Sequence, residues 1–179
     1  MKLPRFSVFF TALLAVVCFV FPAFADDFKN TGSGVRTKTV AIITAKVYAI
    51  RHDMKEPLPA KSKQAVIDAD VDKRFSLQFM RDVDADKIQK AFRDGFALNG
   101  YGDAGKINQF VGAFSQKEVK EKTGVSISYN AANKSVTIWV QGGGSATIGG
   151  ADFMKAVWSL WFGKIDQPSL GDALISNLK

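Results

Sequence analysis

Cysteine and histidine are almost missing from this 179-residue chain, which has one of each, and proline is scarce at five. With Cys18 alone, no internal disulfide can form. His52 alone leaves no second imidazole or thiolate from which to build a transition-metal site, and it reads as a solvated or capping side chain. No Gly or Pro period runs through the chain, so fibrous classes are excluded. Catalytic motifs are missing too. Gly142-Gly143-Gly144 carries no phosphate-binding Lys and precedes a short strand rather than a helix. The single His has no nucleophile motif nearby. Asp68, Asp70 and Asp72 lack the Gly and late Glu of a calcium loop and read as a solvated turn. Neither a metal nor a cofactor is implied.

Apolar surface, by contrast, is abundant. The chain is 47% hydrophobic and carries 15 Phe and 3 Trp, enough for one real core and too much for a disordered coil. The net charge of +7 raises the question of nucleic acid, but the basic residues are scattered and no aromatic-interleaved basic patch exists. Part of that charge sits at the extreme N-terminus. Residues 1–25 read as a cleaved signal peptide: Lys2 and Arg5, an apolar stretch from Phe6 to Val20, then Ala23-Phe24-Ala25. Cys18 follows Val17 rather than a small residue, which argues against a lipoprotein site; an uncleaved anchor is the rival reading. Cleavage after Ala25 leaves a single domain, residues 26–179, with net charge +5, destined for the periplasm or the outside and free of stable membrane insertion. Export also puts nucleic acid out of reach.

Along the mature chain, Asp26 to Gly34 is polar and reads as a lead-in. Val35 to Ile50 is rich in Val, Ile, Thr and Tyr and reads as one strand, apolar on both faces. Ser62 to Ala69 could carry two helical turns, and Arg74 to Met80 alternates with Phe75, Leu77 and Phe79 on one side. Asp84 opens a helix with Ile88, Ala91, Phe92 and Phe96 at helical spacing; Ile107, Phe110, Val111 and Phe114 define another. Lys117 to Lys122 reads as a solvated helix end. A hairpin follows (Val125–Tyr129, Ser135–Gln141), then a short strand Ala146–Ile148. A helix from about Gly150 to Phe162 carries Trp158 and Trp161, and Ser169 caps a last short helix with Leu170, Leu174 and Leu178. These mixed runs predict an α+β fold: an antiparallel sheet with helices on one face.

Gly32-Ser33-Gly34-Val35-Arg36 ahead of Val47-Tyr48-Ala49-Ile50 resembles the chalcone isomerase family, more narrowly its exported bacterial chalcone isomerase-like members. The resemblance continues through Asp94-Gly95-Phe96, Ile148-Gly149-Gly150-Ala151-Asp152-Phe153 and Trp161-Phe162-Gly163. It implies an open-faced β-sandwich with an apolar cleft between sheet and helices. It also implies either a chalcone-closing intramolecular lyase or a non-catalytic fatty-acid binder. The family arginine is matched by Arg36. The enzymes' threonine falls at Tyr48, as in the fatty-acid-binding relatives, and their later catalytic positions fall near Asp84, Ala91 and Gly143, where the reactive side chains are missing. No catalytic residue can therefore be assigned.

The expectation is a binder of a hydrophobic anion such as a fatty acid, with Arg36 and Tyr48 as ligand residues and Thr44 as an alternate. An isomerase is the alternative, and a structural or partner-binding domain without a cavity is a further one. A guanidinium fork and a phenol suit a carboxylate. Twelve residues of straight strand would set Arg36 and Tyr48 roughly 40 Å apart, so they meet only if the chain turns between them. Ala41-Ile42-Ile43 carries no turn signal. Oligomeric state is not legible.

Overall fold

Strict alternation is what makes the sheet one-sided. In β3 (Lys73–Phe79), Phe75, Leu77 and Phe79 are buried while Ser76 and Gln78 face solvent. The computed structural model, which describes residues 27–40 and 42–179, places β3 in a six-stranded antiparallel sheet. Its other strands are β1 (Lys29–Val40), β2 (Ile43–Met54), β6 (Gly124–Asn130), β7 (Ser135–Val140) and β8 (Ser145–Gly149), in the order β1-β2-β3-β6-β7-β8. The inner sides of β6 and β7 continue the pattern, with Val125, Ile127, Tyr129, Val136, Ile138 and Val140 all buried.

Helices cover that inner face. The central one, α4 (Ala151–Phe162), buries Phe153, Met154, Val157, Trp158, Trp161 and Phe162. It is flanked by α1 (Lys63–Asp68), α2 (Ala85–Leu98), α3 (Ala104–Val111) and the short α5 (Pro168–Ala173). Ser62 caps α1 by accepting from the Ala65 amide, and Asp103 caps α3 by accepting from Lys106. Asp84 precedes α2 without a side-chain cap and pairs with Lys87 instead. The α+β, open-faced architecture expected from the sequence is present. The expected signal peptide, residues 1–25, lies outside the described residues.

Four sequence expectations about these elements need correction. Ser169 does not cap the last helix but lies inside α5, whose N-cap is Gln167. The stretch from Val35 to Ile50 is not one strand: β1 and β2 are antiparallel partners that pair Val40 with Ile43 and Arg36 with Tyr48. The polar lead-in is the first half of β1, and Thr31 within it is fully buried. The charged run at 117–122 contains β5 (Glu118–Val119), which pairs with β4 (Val83–Asp84) and buries Val119. Two polar-flanked residues are too short a pattern for alternation to show.

The two glycines of the Gly-Ser-Gly motif let α5 lie directly on β1. A Cβ at Gly32 would stand 2.2 Å from the backbone oxygen of Ala173, and one at Gly34 would stand 2.7 Å from a terminal methyl of Leu170. Backbone cannot yield where a Leu tip can. Gly32→Ala is therefore expected to destabilise the protein by about 1–3 kcal/mol or more, and Gly34→Ala by clearly less. Urea unfolding of both variants checks this, and equal losses would contradict the close approach.

Candidate functional site

The β1–β2 hairpin removes the separation that straight strands would impose. Arg36 and Tyr48 are direct cross-strand partners on the helix-facing side of the sheet, where neighbouring Cβ atoms lie about 5 Å apart. Tyr48 is followed on this face by Ile50, His52 and Met54, all buried. Arg36 is nearly covered, with 17% of its side chain exposed. Its Nη2 donates to Asp166 at 2.5 Å and its Nη1 to Gln167 Oε1 at 3.3 Å. Gln167 also ties down strand backbone, accepting from the Thr37 amide and donating to the Val35 carbonyl. Asp166 is half exposed and shared with Lys38.

The Tyr48 hydroxyl accepts from Trp161 Nε1 at 3.1 Å. Its own proton has no hydrogen-bond acceptor among the described residues. Burial pushes this phenol above its ordinary value, opposed by the Trp161 hydrogen bond and by the Arg36 charge, so it stays a donor at neutral pH. Asp166 is held below the usual carboxylate range by Lys38 and Arg36, against the opposing effect of burial.

Thr44 is not brought to this pair. β2 skips a residue between its partners for Arg36 and Thr37, leaving Val47 as a bulge. That extra residue reverses the facing of the strand beyond it, so Thr44 pairs with Thr39, on the side opposite Arg36, and their hydroxyls bond at 2.8 Å. The positions matched to the enzymes' later catalytic residues are scattered: Asp84 precedes α2, Ala91 is exposed on it, and Gly143 sits in the β7–β8 turn. No group of three or more metal-capable side chains occurs among the described residues. Asp68, Asp70 and Asp72 are instead paired singly with Lys155, Lys134 and Lys55.

His52 is neither solvated nor a cap. It is completely buried at the centre of a relay between four segments. Trp158 Nε1 donates to His52 Nε2 at 2.9 Å, and because an indole only donates, Nε2 must be the unprotonated nitrogen. The Nδ1 hydrogen then goes to Thr31 Oγ1 at 2.6 Å, and Thr31 donates onward to the Leu174 carbonyl at 2.8 Å. Thr31 reaches inward because it is the unpaired residue of a bulge in β1. The inward parity of Ile50, His52 and Met54 was the signal available in the sequence. No comparable signal marks Asp166 and Gln167.

Around Phe75 the space between the layers, where an apolar cleft was expected, is packed with aromatic rings among the described residues. Phe75 lies 4.5 Å from Trp161, 5.1 Å from Trp158 and 5.8 Å from Phe162, centroid to centroid. Lys73 closes the far end, its Nζ donating to the Val66 and Ala69 carbonyls under the Trp158 ring; burial lowers it to about 7. Two open depressions of about 380 Å³ each lie elsewhere. One is on the outer sheet face around Ser33, Ala49 and Ser76, and the other is beside Pro57 and Leu178.

With this geometry in view, the relatives can be placed. A family model described as chalcone isomerase-like matches residues 22–174, and the chain belongs to that family. Comparison with curated protein sequences returns no match. Among solved structures, a fatty-acid-binding protein of Arabidopsis thaliana superposes with a TM-score of 0.66 at 16% identity, covering 88% of this chain and 92% of that one. At that identity the likeness establishes a shared fold.

Burial holds the His52 pKa down at about 3, with the Lys73 charge adding to the effect, whereas an unfolded histidine titrates near 6.5. Between those values the unfolded chain binds the extra proton, so stability falls as pH drops. The loss from pH 7 to pH 5 is about 2 kcal/mol. Lys73 adds little in this window, because below about pH 7 both states hold its proton. Urea unfolding should show that loss in the wild type and much less of it in His52→Gln; parallel slopes would contradict the relay.

Proposed function

We propose that this protein is a non-catalytic binder of a hydrophobic anion, a fatty acid being the best fit, with Arg36 gripping the carboxylate and Tyr48 donating a second hydrogen bond. The observation that carries the reading is the Arg36–Asp166 contact. A nearly covered guanidinium on the apolar face of a sheet is held by one half-exposed carboxylate on the α4–α5 connection. A ligand carboxylate can take the place of Asp166 on Nη2 and of Gln167 on Nη1, and so accept from the guanidinium at two points. The Tyr48 proton is available to it, and the rings of Trp161 and Phe79 beside Tyr48 offer apolar contact for a tail. Since the layers are packed with rings around Phe75, entry of the tail requires the segment from Gly163 to Gln167 and α5 to shift. The fatty-acid-binding relative and the absent catalytic side chains at Asp84, Ala91 and Gly143 support binding over isomerase chemistry. The N-terminal pattern of residues 1–25 supports export to the periplasm or the outside.

The ring packing between the layers favours a second reading, a partner-binding domain with no ligand. Native mass spectrometry and tryptophan fluorescence titration with long-chain fatty acids separate the two. Wild type should retain an acyl ligand. Arg36→Ala should bind at least about tenfold more weakly, the loss of a charge-assisted pair. Asp166→Asn should bind several-fold more tightly, because its competing charge is gone. A bare mass for the wild type, with no response to added fatty acid, would leave the partner-binding reading standing.

A further inference from the structure

We infer that the β1–β2 hairpin end of the sheet is a docking surface for an anionic lipid bilayer. β2 pairs with β3 only from Tyr48 onward, so Ile43 to Val47 project beyond the sheet, about 17 Å of strand. At the tip, Ile42 is 97% and Ile43 71% exposed. Met80 follows β3, its amide bonded to the Val47 carbonyl at the base of the projection, and is 40% exposed. Two of the five large exposed apolar side chains among the described residues thus stand together at the hairpin tip, with a third, Met80, at its base. Isolated exposed aliphatics are ordinary, but such a cluster on a projecting hairpin is not.

The charges left without an ion-pair partner at this end are mostly positive. Lys46 lies on the hairpin, Arg81 follows Met80, and Lys122 is held here by its amide bond to the Phe79 carbonyl. None of these three has a carboxylate at ion-pair distance among the described residues. The acidic groups at this end are mostly occupied: Asp82 and Glu118 by Lys120, and Asp166 by Arg36 and Lys38. Glu121 alone among them lacks a cationic partner. Apolar side chains at the tip with unpaired cations behind them, Lys46 on the hairpin and Arg81 and Lys122 at its base, match the layering of a membrane surface, aliphatic within and anionic at the head groups. A second protein fits less well, since a hairpin tip buries far less than the roughly 800 Å² per partner of a stable interface, and Lys is depleted from interface cores. Docking here is peripheral; no described helix is long and apolar enough to cross a membrane. It also turns the Arg36–Tyr48 end of the sheet toward the lipid.

This surface goes beyond the ligand reading, and it is tested separately. Vesicle co-sedimentation would compare phosphatidylcholine alone with phosphatidylcholine mixed with phosphatidylglycerol. Two variants accompany the wild type, Ile42→Ser with Ile43→Ser, and Lys46→Glu with Arg81→Glu and Lys122→Glu; all five positions are exposed. The wild type should pellet with the anionic vesicles only, releasing with added salt, and each variant should bind at least about tenfold more weakly. A wild type that stays in the supernatant, or variants that pellet as it does, would overturn the inference. So would a lipid-free dimer that the Ile variant abolishes, which would make the tip a contact between copies. Fatty-acid titration without vesicles should be unchanged in both variants. Its absence in the wild type would overturn the ligand reading and leave the docking result intact.

Discussion

The chain of hydrogen bonds that runs through His52 holds the two layers in register. Trp158 comes from α4, His52 from β2, Thr31 from β1 and the Leu174 carbonyl from the turn after α5, so four segments distant in sequence share one chain of hydrogen bonds. Each donor and acceptor role in it is forced by the indole at one end and the carbonyl at the other. A neutral imidazole is the only form that fits. In an interior built of Phe and Trp rings, which pack well in more than one arrangement, such a fully satisfied polar chain selects a single one. Its dependence on a proton makes the layer contact sensitive to acid.

The same alignment positions the candidate site. With α4 fixed by Trp158, Trp161 falls one turn later over Tyr48, and the connection after Phe162 delivers Asp166 and Gln167 to Arg36. Gly32 and Gly34 contribute by letting α5 settle on β1, which brings that connection within reach of the arginine. The motif Gly-Ser-Gly-Val-Arg thus combines two jobs: closeness of approach for a helix, and a cation aimed at what the helix brings. Opposite charges at the half-exposed edge of an apolar layer make a contact that holds the connection in place, and the proposed ligand carboxylate would compete for it.

Legibility in the sequence followed the strength of local pattern. Phe75, Leu77 and Phe79 alternate so regularly that β3 and its buried face were plain, as were the helices bearing Phe110 and Trp158. The first hairpin was hidden because its tip contains only Val, Ala and Ile, with no Gly, Asn or Pro to mark a turn. The bulges at Thr31 and Val47 then altered the parity on which facing depends, turning Thr31 inward and Thr44 away from Tyr48. Arg36 and Tyr48 were recognisable through family resemblance, whereas their approach to each other and the role of Asp166 arise from tertiary structure. A lone histidine gives no motif, and only its parity with Ile50 and Met54 pointed to the core.

Ligand binding as proposed requires Arg36 to exchange an internal carboxylate for an external one. Carbon-13 NMR of a carboxyl-labelled fatty acid in the presence of the protein observes that exchange directly. The expected result is a bound carboxyl signal that titrates well below the pH range of the free acid, lost in Arg36→Ala, with the Asp166 carboxyl resonance moving as ligand is added. A carboxyl signal that titrates as in free solution, with Asp166 unmoved at saturating ligand, would contradict it.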